Sequence, residues 1–224
     1  MMKNTVTGID YRFTDTGLLQ KALTHRSMGS RNNERLEFLG DSVLNLVVSS
    51  RLFERYPDAQ EGDLSRMRAR LVRGVSLGEI ATGIKLGKQI NLGEGELKSG
   101  GFRRQSILAD AFEALLGAIF LDGGYDVCRK VIISLFDPLI DNMPDVEDLK
   151  DPKTRLQEWL QGRARPLPVY TLQSEEGADH AKKFHVLCVL PDDDTRVEAS
   201  GNSRRKAEQA AASLTLDLLM ERAA

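Results

Sequence analysis

Four acidic residues stand at spacings that pair their carboxylates on helix faces. Glu37 and Asp41 are four residues apart, and Asp110 and Glu113 are three residues apart. If both segments are helical, each pair shares one face of its helix. An ionised carboxylate withdrawn from water without a partner costs several kcal/mol, so such groups raise their pKa, pair with Arg or Lys, or bind a metal ion.

The first pair lies in the segment 34–56, whose apolar spacing predicts one long helix. Glu34 joins the pair within an arc of about 60° on that helix. Phe38 and Leu44 are predicted to flank this acidic arc, and no Lys or Arg follows four residues after any of the three acids. We therefore expect a cation from elsewhere. The opposite side is predicted to be a core stripe formed by Leu36, Leu39, Val43, Leu46 and Val47.

The second pair lies in the segment 106–121, which is apolar nearly all round, as is typical of a helix buried inside a domain. Asp110 and Glu113 are its only charged residues. If the two helices pack side by side, their four carboxylates form a cluster of oxygen ligands. Such a cluster suits Mg²⁺ or Mn²⁺, and the absence of His or Cys at ligand spacing disfavours zinc.

Spacing alone leaves a second interpretation open, in which arginines neutralise a structural network of acids. Arg103 and Arg104, just before the second helix, are the candidates for that role. His25 is a candidate proton shuttle by residue type. A single His beside an apolar helix, however, is more often a hydrogen-bonded core residue, and we expect that role here.

The chain divides into two regions of different pattern. Residues 1–143 contain helical patterns without convincing strand alternation, residues 144–151 are an acidic, proline-containing linker, and residues 152–224 form a second domain. The sequence pattern of that second domain predicts the order of elements α-β-β-β-α. Its predicted elements are a helix at 153–162, strands at 168–174, 182–190 and 194–200, and a helix at 203–221.

Composition excludes several classes of protein. The chain has 31 Lys and Arg against 33 Asp and Glu, a net charge of -2, so a nucleic acid would have to be held by local basic clusters. Cys128 and Cys188 belong to no CxxC pair, which predicts two buried thiols. No long apolar run, signal peptide or GxxxxGK[ST] loop is present, so we expect a cytoplasmic protein without a membrane partner or nucleotide cofactor.

Residues 33–43, NERLEFLGDSV, resemble the signature segment of the ribonuclease III family. This resemblance implies an all-α endonuclease domain followed by a small α+β (α-β-β-β-α) double-stranded-RNA-binding domain. It also implies a homodimer in which each subunit cuts one strand of the duplex. Further matching segments are THRS (24–27), EGDLSRMRARLV (61–72), GELKSGGFRRQSILADAFEALLGAIFLD (95–122), DPKTRLQEWLQGR (151–163) and SRRKAEQAAA (203–212).

By the same resemblance the four carboxylates are catalytic metal ligands for Mg²⁺, with Mn²⁺ able to substitute. Asp41 and Glu113 are the first choices for indispensable residues, and Glu34 and Glu61 match secondary acidic positions. The implied products are 5'-phosphate and 3'-hydroxyl ends with short 3' overhangs, and the implied substrates are ribosomal RNA precursors and structured transcripts. The alternative, a non-catalytic regulator that binds double-stranded RNA, would be expected to lack part of the acidic quartet.

The second domain should recognise the shape of A-form RNA through sugar hydroxyls and phosphates, since the deep major groove hides the base edges. Glu208 stands where family members often carry Lys, so we expect modest affinity from this domain. The candidate contacts are Thr154, Gln157 and Glu158 in the first helix, His180, Lys182 and Lys183 after the first strand, and Ser203, Arg204, Arg205 and Lys206 at the second helix.

Overall fold

The computed structural model describes residues 4–144, 150–178 and 181–223. These residues divide into two compact units, with the boundary between Met143 and Pro144. Most of the predicted linker, together with His180, lies outside the described residues.

The first unit is all-helical, as predicted. Its helices, within the described residues, are α1 (Thr16–Ala22), α2 (Glu34–Arg55), α3 (Glu61–Val72), α4 (Gly74–Gly83), α5 (Glu94–Lys98) and α6 (Gln105–Asp141). Short 3₁₀ turns cover Arg26–Met28, Leu86–Lys88 and Gly101–Arg103.

Helix α6 is the buried centre of this unit. Leu115, Leu116 and Ile119 have no exposed surface, which agrees with the apolar pattern of the segment. The helix runs further than the sequence predicts, to Asp141, and Gly124 interrupts its helical geometry with φ 79°. A left-handed φ of this kind favours glycine, so the chain changes conformation here without the strain that a side chain would add.

Helices α2 and α6 pack unusually closely. A methyl group added to Gly117 of α6 would lie 2.2 Å from the carbonyl oxygen of Leu36 on α2. Only a residue without a side chain permits this approach of two backbones. The contact fixes the position, relative to one another, of the two helix faces that carry the acidic residues.

The predicted core stripe of α2 is partly wrong. Leu46 is 57% exposed, whereas Leu44, predicted to flank the acidic arc, is completely buried. The buried face is therefore rotated toward Glu37, and the acids border it instead of lying opposite to it. The reason is the close approach of α6 at Gly40, which covers the side of α2 next to the acids.

The second unit has the predicted order α-β-β-β-α. Its three strands form one antiparallel sheet in the order β1-β2-β3, with Tyr170 opposite Cys188 and Cys188 opposite Val197. The predicted boundaries shift by one or two residues. The elements are α7 (Pro152–Gln161), β1 (Val169–Glu176), β2 (Lys183–Val189), β3 (Arg196–Gly201) and α8 (Arg204–Ala223).

The core of the second unit lies between the two helices and the sheet. Leu156 and Leu160 of α7 meet Ala211, Ala212 and Leu216 of α8, and the small alanines permit close packing. Asp151 caps α7 by accepting hydrogen bonds from the backbone of Lys153 and Thr154.

Two further expectations concern cysteines and membranes. Cys128 and Cys188 are free, buried thiols, as predicted. Throughout the described part of the chain, no helix has the length and apolar character that crossing a bilayer requires.

Candidate active site

Three of the four predicted carboxylates come together where α2 crosses α6. Glu37 projects from α2, and Asp110 and Glu113 project from α6 one helical turn apart. One ligand oxygen from each residue lies within 4.8 Å of the others, and all three side chains are half-buried. Three hard oxygen donors at this separation are a suitable ligand set for Mg²⁺ or Mn²⁺.

The electrostatics of the cluster also indicate a missing positive charge. Burial, together with the smaller effect of the neighbouring charges of Asp41, Glu37 and Asp110, raises the pKa of Glu113 to about 8. Burial also raises the pKa of Glu37, and Asp110 adds to that shift. The pKa of Asp110 is raised by burial, although His25 and Arg26 oppose the shift. A divalent cation would relieve the repulsion that these carboxylates exert on one another.

The structure does not form the arginine-neutralised network. Arg104 pairs with Glu96 at 3.0 Å, and Arg103 stacks over the ring of Phe102. Across residues 4–144, no Lys or Arg forms an ion pair with any of the four predicted carboxylates. The acids therefore have no basic ion-pair partner among the described residues of their own unit.

Asp41 lies beside the three-residue cluster but not in it. Its side chain is exposed and accepts a hydrogen bond from Asn45 Nδ2 at 2.7 Å. It is nevertheless close enough for its charge to raise the pKa of Glu113. Sequence spacing did not indicate Asn45, although its position four residues after Asp41 is the ordinary distance for a helical side-chain pair.

A cavity of about 200 Å³ adjoins the cluster, and its acidic lining residues are Glu34, Glu37 and Asp110. Asn33 also lines this cavity, is only 2% exposed, and has no hydrogen-bond partner for its Nδ2 within the described chain. A buried donor without a partner is costly, and here it borders a space large enough for water or a ligand oxygen. Sequence reasoning missed Asn33 as a site residue because an asparagine before a helix is ordinarily a cap.

His25 and Arg26 complete the wall of this cavity. His25 is 7% exposed, and its Nδ1 accepts a hydrogen bond from the backbone N–H of Ser27. In the neutral ring the proton is therefore on Nε2, which is then a donor. His25 is hydrogen-bonded and buried, as predicted, but it also borders the acidic site.

The two secondary acids have different surroundings. Glu34 lines the cavity, receives a hydrogen bond from Asn32 Nδ2 at 3.0 Å and lies 3.8 Å from Arg26. Glu61 is the first residue of α3, is exposed and accepts a hydrogen bond from Ser65. The structure brings Glu34, but not Glu61, to the cavity.

The candidate RNA contacts on α7 are partly engaged within the unit. Thr154 Oγ1 donates to Asp151 at 2.9 Å, and Glu158 accepts from Lys150 Nζ at 2.6 Å. Gln157 is exposed. After β1, Lys182 pairs with Glu175 and Lys183 is exposed. The structure does not describe His180.

The start of α8 presents the basic residues that the sequence indicates. Arg204, Arg205 and Lys206 are exposed, and Ser203 Oγ accepts a hydrogen bond from the backbone N–H of Lys206. Glu208 accepts hydrogen bonds from Lys153 at 2.9 Å and from Arg204 at 3.0 Å. The hydrogen bond from Lys153 lowers the pKa of Glu208 most strongly.

A helical unit with a carboxylate cluster, followed by an α-β-β-β-α unit with a basic helix start, is the architecture of a two-domain nuclease. Residues 15–139 match the family model described as Ribonuclease-III-like, and residues 152–219 match the double-stranded RNA binding motif. The chain belongs to the ribonuclease III family.

Individual relatives agree with this assignment. Ribonuclease 3 of Bordetella petrii is 55% identical over 211 residues, which cover 94% of this chain and 84% of that protein. Ribonuclease 3 of Thiobacillus denitrificans is 56% identical over 204 residues, covering 91% and 90% of the two chains. A solved nuclease domain of ribonuclease III from Campylobacter jejuni is 44% identical, covers 60% of this chain and 92% of that chain, and superposes with a TM-score of 0.57. Another structure of that domain, 46% identical with a TM-score of 0.56 over 57% of this chain and 90% of that chain, is described as flexible in a region involved in dimer formation.

Proposed function

We propose that the chain is an endonuclease that hydrolyses phosphodiester bonds within double-stranded RNA in a Mg²⁺-dependent reaction. One observation carries the proposal: three carboxylates lie within 4.8 Å of one another, with no basic ion-pair partner among residues 4–144, on a chain that also has a double-stranded RNA binding motif. Mn²⁺ is expected to substitute, since it accepts the same oxygen ligands.

Glu37, Asp110 and Glu113 are the residues that would hold the ion, and Asp41 would join them by leaving its hydrogen bond to Asn45. When bound, the ion supplies positive charge that activates water for attack on phosphorus and stabilises charge on the phosphate oxygens. The residues fit this role because burial, and in addition their mutual repulsion, raises the pKa values of Glu37 and Glu113, and a bound cation would offset both effects.

Neighbouring groups of the chain supply hydrogen bonds at the same place. Asn33 Nδ2 is a buried donor without a partner in the described chain, and His25 Nε2 is the protonated nitrogen of the neutral ring. Both residues line the cavity next to the carboxylates. They would donate to a phosphate oxygen or to the attacking water and so orient it relative to the acids.

The proposal includes a homodimer in which each subunit cuts one strand, leaving 5'-phosphate and 3'-hydroxyl ends with short 3' overhangs. Phe38, which follows Glu37 on α2, is 77% exposed. A large aromatic side chain in water beside an active site favours a covering protein surface, and a second copy of the chain is the simplest one. Ribosomal RNA precursors and structured transcripts are the proposed substrates, because they contain long duplexes that shape recognition can select.

Cleavage of a long RNA duplex tests the proposal. Glu113→Gln and Asp41→Asn should each abolish cleavage with Mg²⁺ while duplex binding stays unchanged. Asp126→Asn, which removes an exposed carboxylate further along α6, is the matched control and should cleave normally. Loss of duplex binding in the first two variants would mean that the acids are structural.

Two comparisons separate this enzyme from its rivals. A DNA duplex of the same sequence should remain intact, since the RNA-binding motif recognises A-form shape and 2'-hydroxyls. EDTA should stop cleavage, and Mg²⁺ or Mn²⁺ should restore it. A protein that binds duplex RNA but never cuts it with either metal would instead be a non-catalytic regulator.

A further inference from the structure

A groove of the first unit carries the opposite charge to the carboxylate cavity. It has a volume of about 820 Å³, and its basic side chains are Lys21, Arg31 and Arg35. We call it the basic groove, defined by these three residues. Gln20 and Ser30 also line it and add polar groups that can hydrogen-bond to a ligand.

The three cations of the basic groove are uncompensated. None of them forms a hydrogen bond or ion pair with another described residue. Arg26 and Arg104 of the same unit, by contrast, each pair with a carboxylate. No Asp or Glu from the described residues lines the groove, so its positive potential is available to an anion.

The basic groove lies directly beside the carboxylate cavity. Thr24 lines the groove and its neighbour His25 lines the cavity, and Glu34 lines the cavity while its neighbour Arg35 lines the groove. A chain of phosphates that passes the carboxylates can therefore reach the groove as well. A single small anion would not need both places.

We propose that the basic groove binds the sugar-phosphate backbone of duplex RNA next to the bond that is cut. This inference rests on the proposed function and assigns RNA contacts to Lys21, Arg31 and Arg35 of the nuclease unit. The physical reason is that clustered carboxylates repel a polyanion, whereas three flanking cations offset that repulsion and release counterions on binding. Backbone contacts of this kind position a duplex without reading its sequence.

The experiment uses the full chain and an RNA duplex longer than the roughly 16 base pairs that one RNA-binding domain spans. Binding is measured in EDTA over a series of salt concentrations for the wild type, for Arg31→Gln and for the triple variant Lys21→Gln, Arg31→Gln, Arg35→Gln. The triple variant should bind about tenfold more weakly or worse near 0.15 M salt, with a salt slope smaller by about 2 to 3. Arg31→Gln alone should lower the slope by about 1.

Lys130→Gln is the matched single-charge control. Lys130 is an exposed lysine of α6, and its neighbour Arg129 pairs with Glu54 near the end of α2. That end is about 30 Å along the helix from Glu34. This variant should bind and cleave as the wild type does. Charge-retaining swaps, Arg31→Lys and Arg35→Lys, should keep most of the affinity.

Several outcomes overturn the inference without touching the proposed function. One is unchanged affinity and salt slope in the triple variant while the wild type still cleaves duplex RNA. Another is a loss that differs between two duplexes of unrelated sequence, because backbone contacts are sequence-independent. If the triple variant does not fold, as judged by its thermal unfolding, the exposed Arg31→Gln substitution decides the question. A wild type that never cleaves RNA would instead contradict the proposed function.

Discussion

A methyl group on Gly40 of α2 would lie 1.8 Å from the carbonyl oxygen of Glu113 on α6. The two helices therefore touch backbone to backbone at the level of the carboxylates. This contact places Glu37 beside Asp110 and Glu113 and also withdraws them from water. The arrangement of the acids and their raised pKa values consequently have one structural cause.

Gly40→Ala should be strongly destabilising, because the two backbones must separate to admit the methyl group. We expect a loss of about 2 to 3 kcal/mol in the free energy of unfolding, measured by urea denaturation, and a large loss of cleavage. Gly83→Ala is the control, since a methyl group at that helical glycine meets nothing within 4 Å. It should be neutral or stabilising by up to about 1 kcal/mol. Equal effects of the two variants would contradict the packing argument.

The contribution of Glu113 to the stability of the metal-free protein should fall as the pH rises from about 4.5 to about 8. Below that window Glu113 is protonated in both the folded and the unfolded chain. Within it, the unfolded chain loses the proton first, so folding becomes progressively less favourable, by about 1 to 3 kcal/mol after solvent screening. Above about pH 8 the loss is constant.

Urea unfolding in EDTA at several pH values measures this effect. Glu113→Gln should reduce the pH dependence and should be more stable than the wild type at pH 8. A smaller dependence should remain, because burial also raises the pKa of Glu37 and of Asp110. If the stability of Glu113→Gln depended on pH as the wild type does, the raised pKa of Glu113 would not be the cause of the pH dependence.

Glu208→Gln should increase the affinity for duplex RNA. Glu208 accepts hydrogen bonds from Lys153 and Arg204, so it neutralises cations beside Arg205 and Lys206, which are predicted to contact RNA. Releasing them should strengthen binding about two- to fivefold at moderate salt, with a steeper salt dependence. Asp217→Asn removes the same charge nine residues further along α8, on the opposite face, and should change little. Weaker binding of Glu208→Gln would mean that the acid positions the cations instead.

Phe38→Ser should weaken self-association if a second copy of the chain covers this 77% exposed side chain. Light scattering after size-exclusion chromatography should show a shift toward monomer, accompanied by reduced double-strand cleavage. Leu214→Ser, at a half-exposed apolar residue of α8, is the control and should leave the assembly state unchanged. A wild type that is monomeric at every concentration would contradict the homodimer.

The all-helical character of the first unit and the order of elements in the second follow from sequence patterns alone. Helical and strand periodicities are local properties, so the α-β-β-β-α unit and the long helix after Asn33 are predicted to within a few residues. The spacing of Asp110 and Glu113 likewise identifies two acids on one face of a buried helix.

Only the tertiary structure decides which groups meet. It turns Leu44 inward and Leu46 outward, gathers three carboxylates while Asp41 binds Asn45, and buries Asn33 beside the acids. These outcomes depend on the crossing of α2 and α6, which two glycines far apart in sequence permit through backbone contact. Sequence periodicity describes each helix separately. It therefore contains no information about the distance between α2 and α6 or about the rotation of either helix about its own axis.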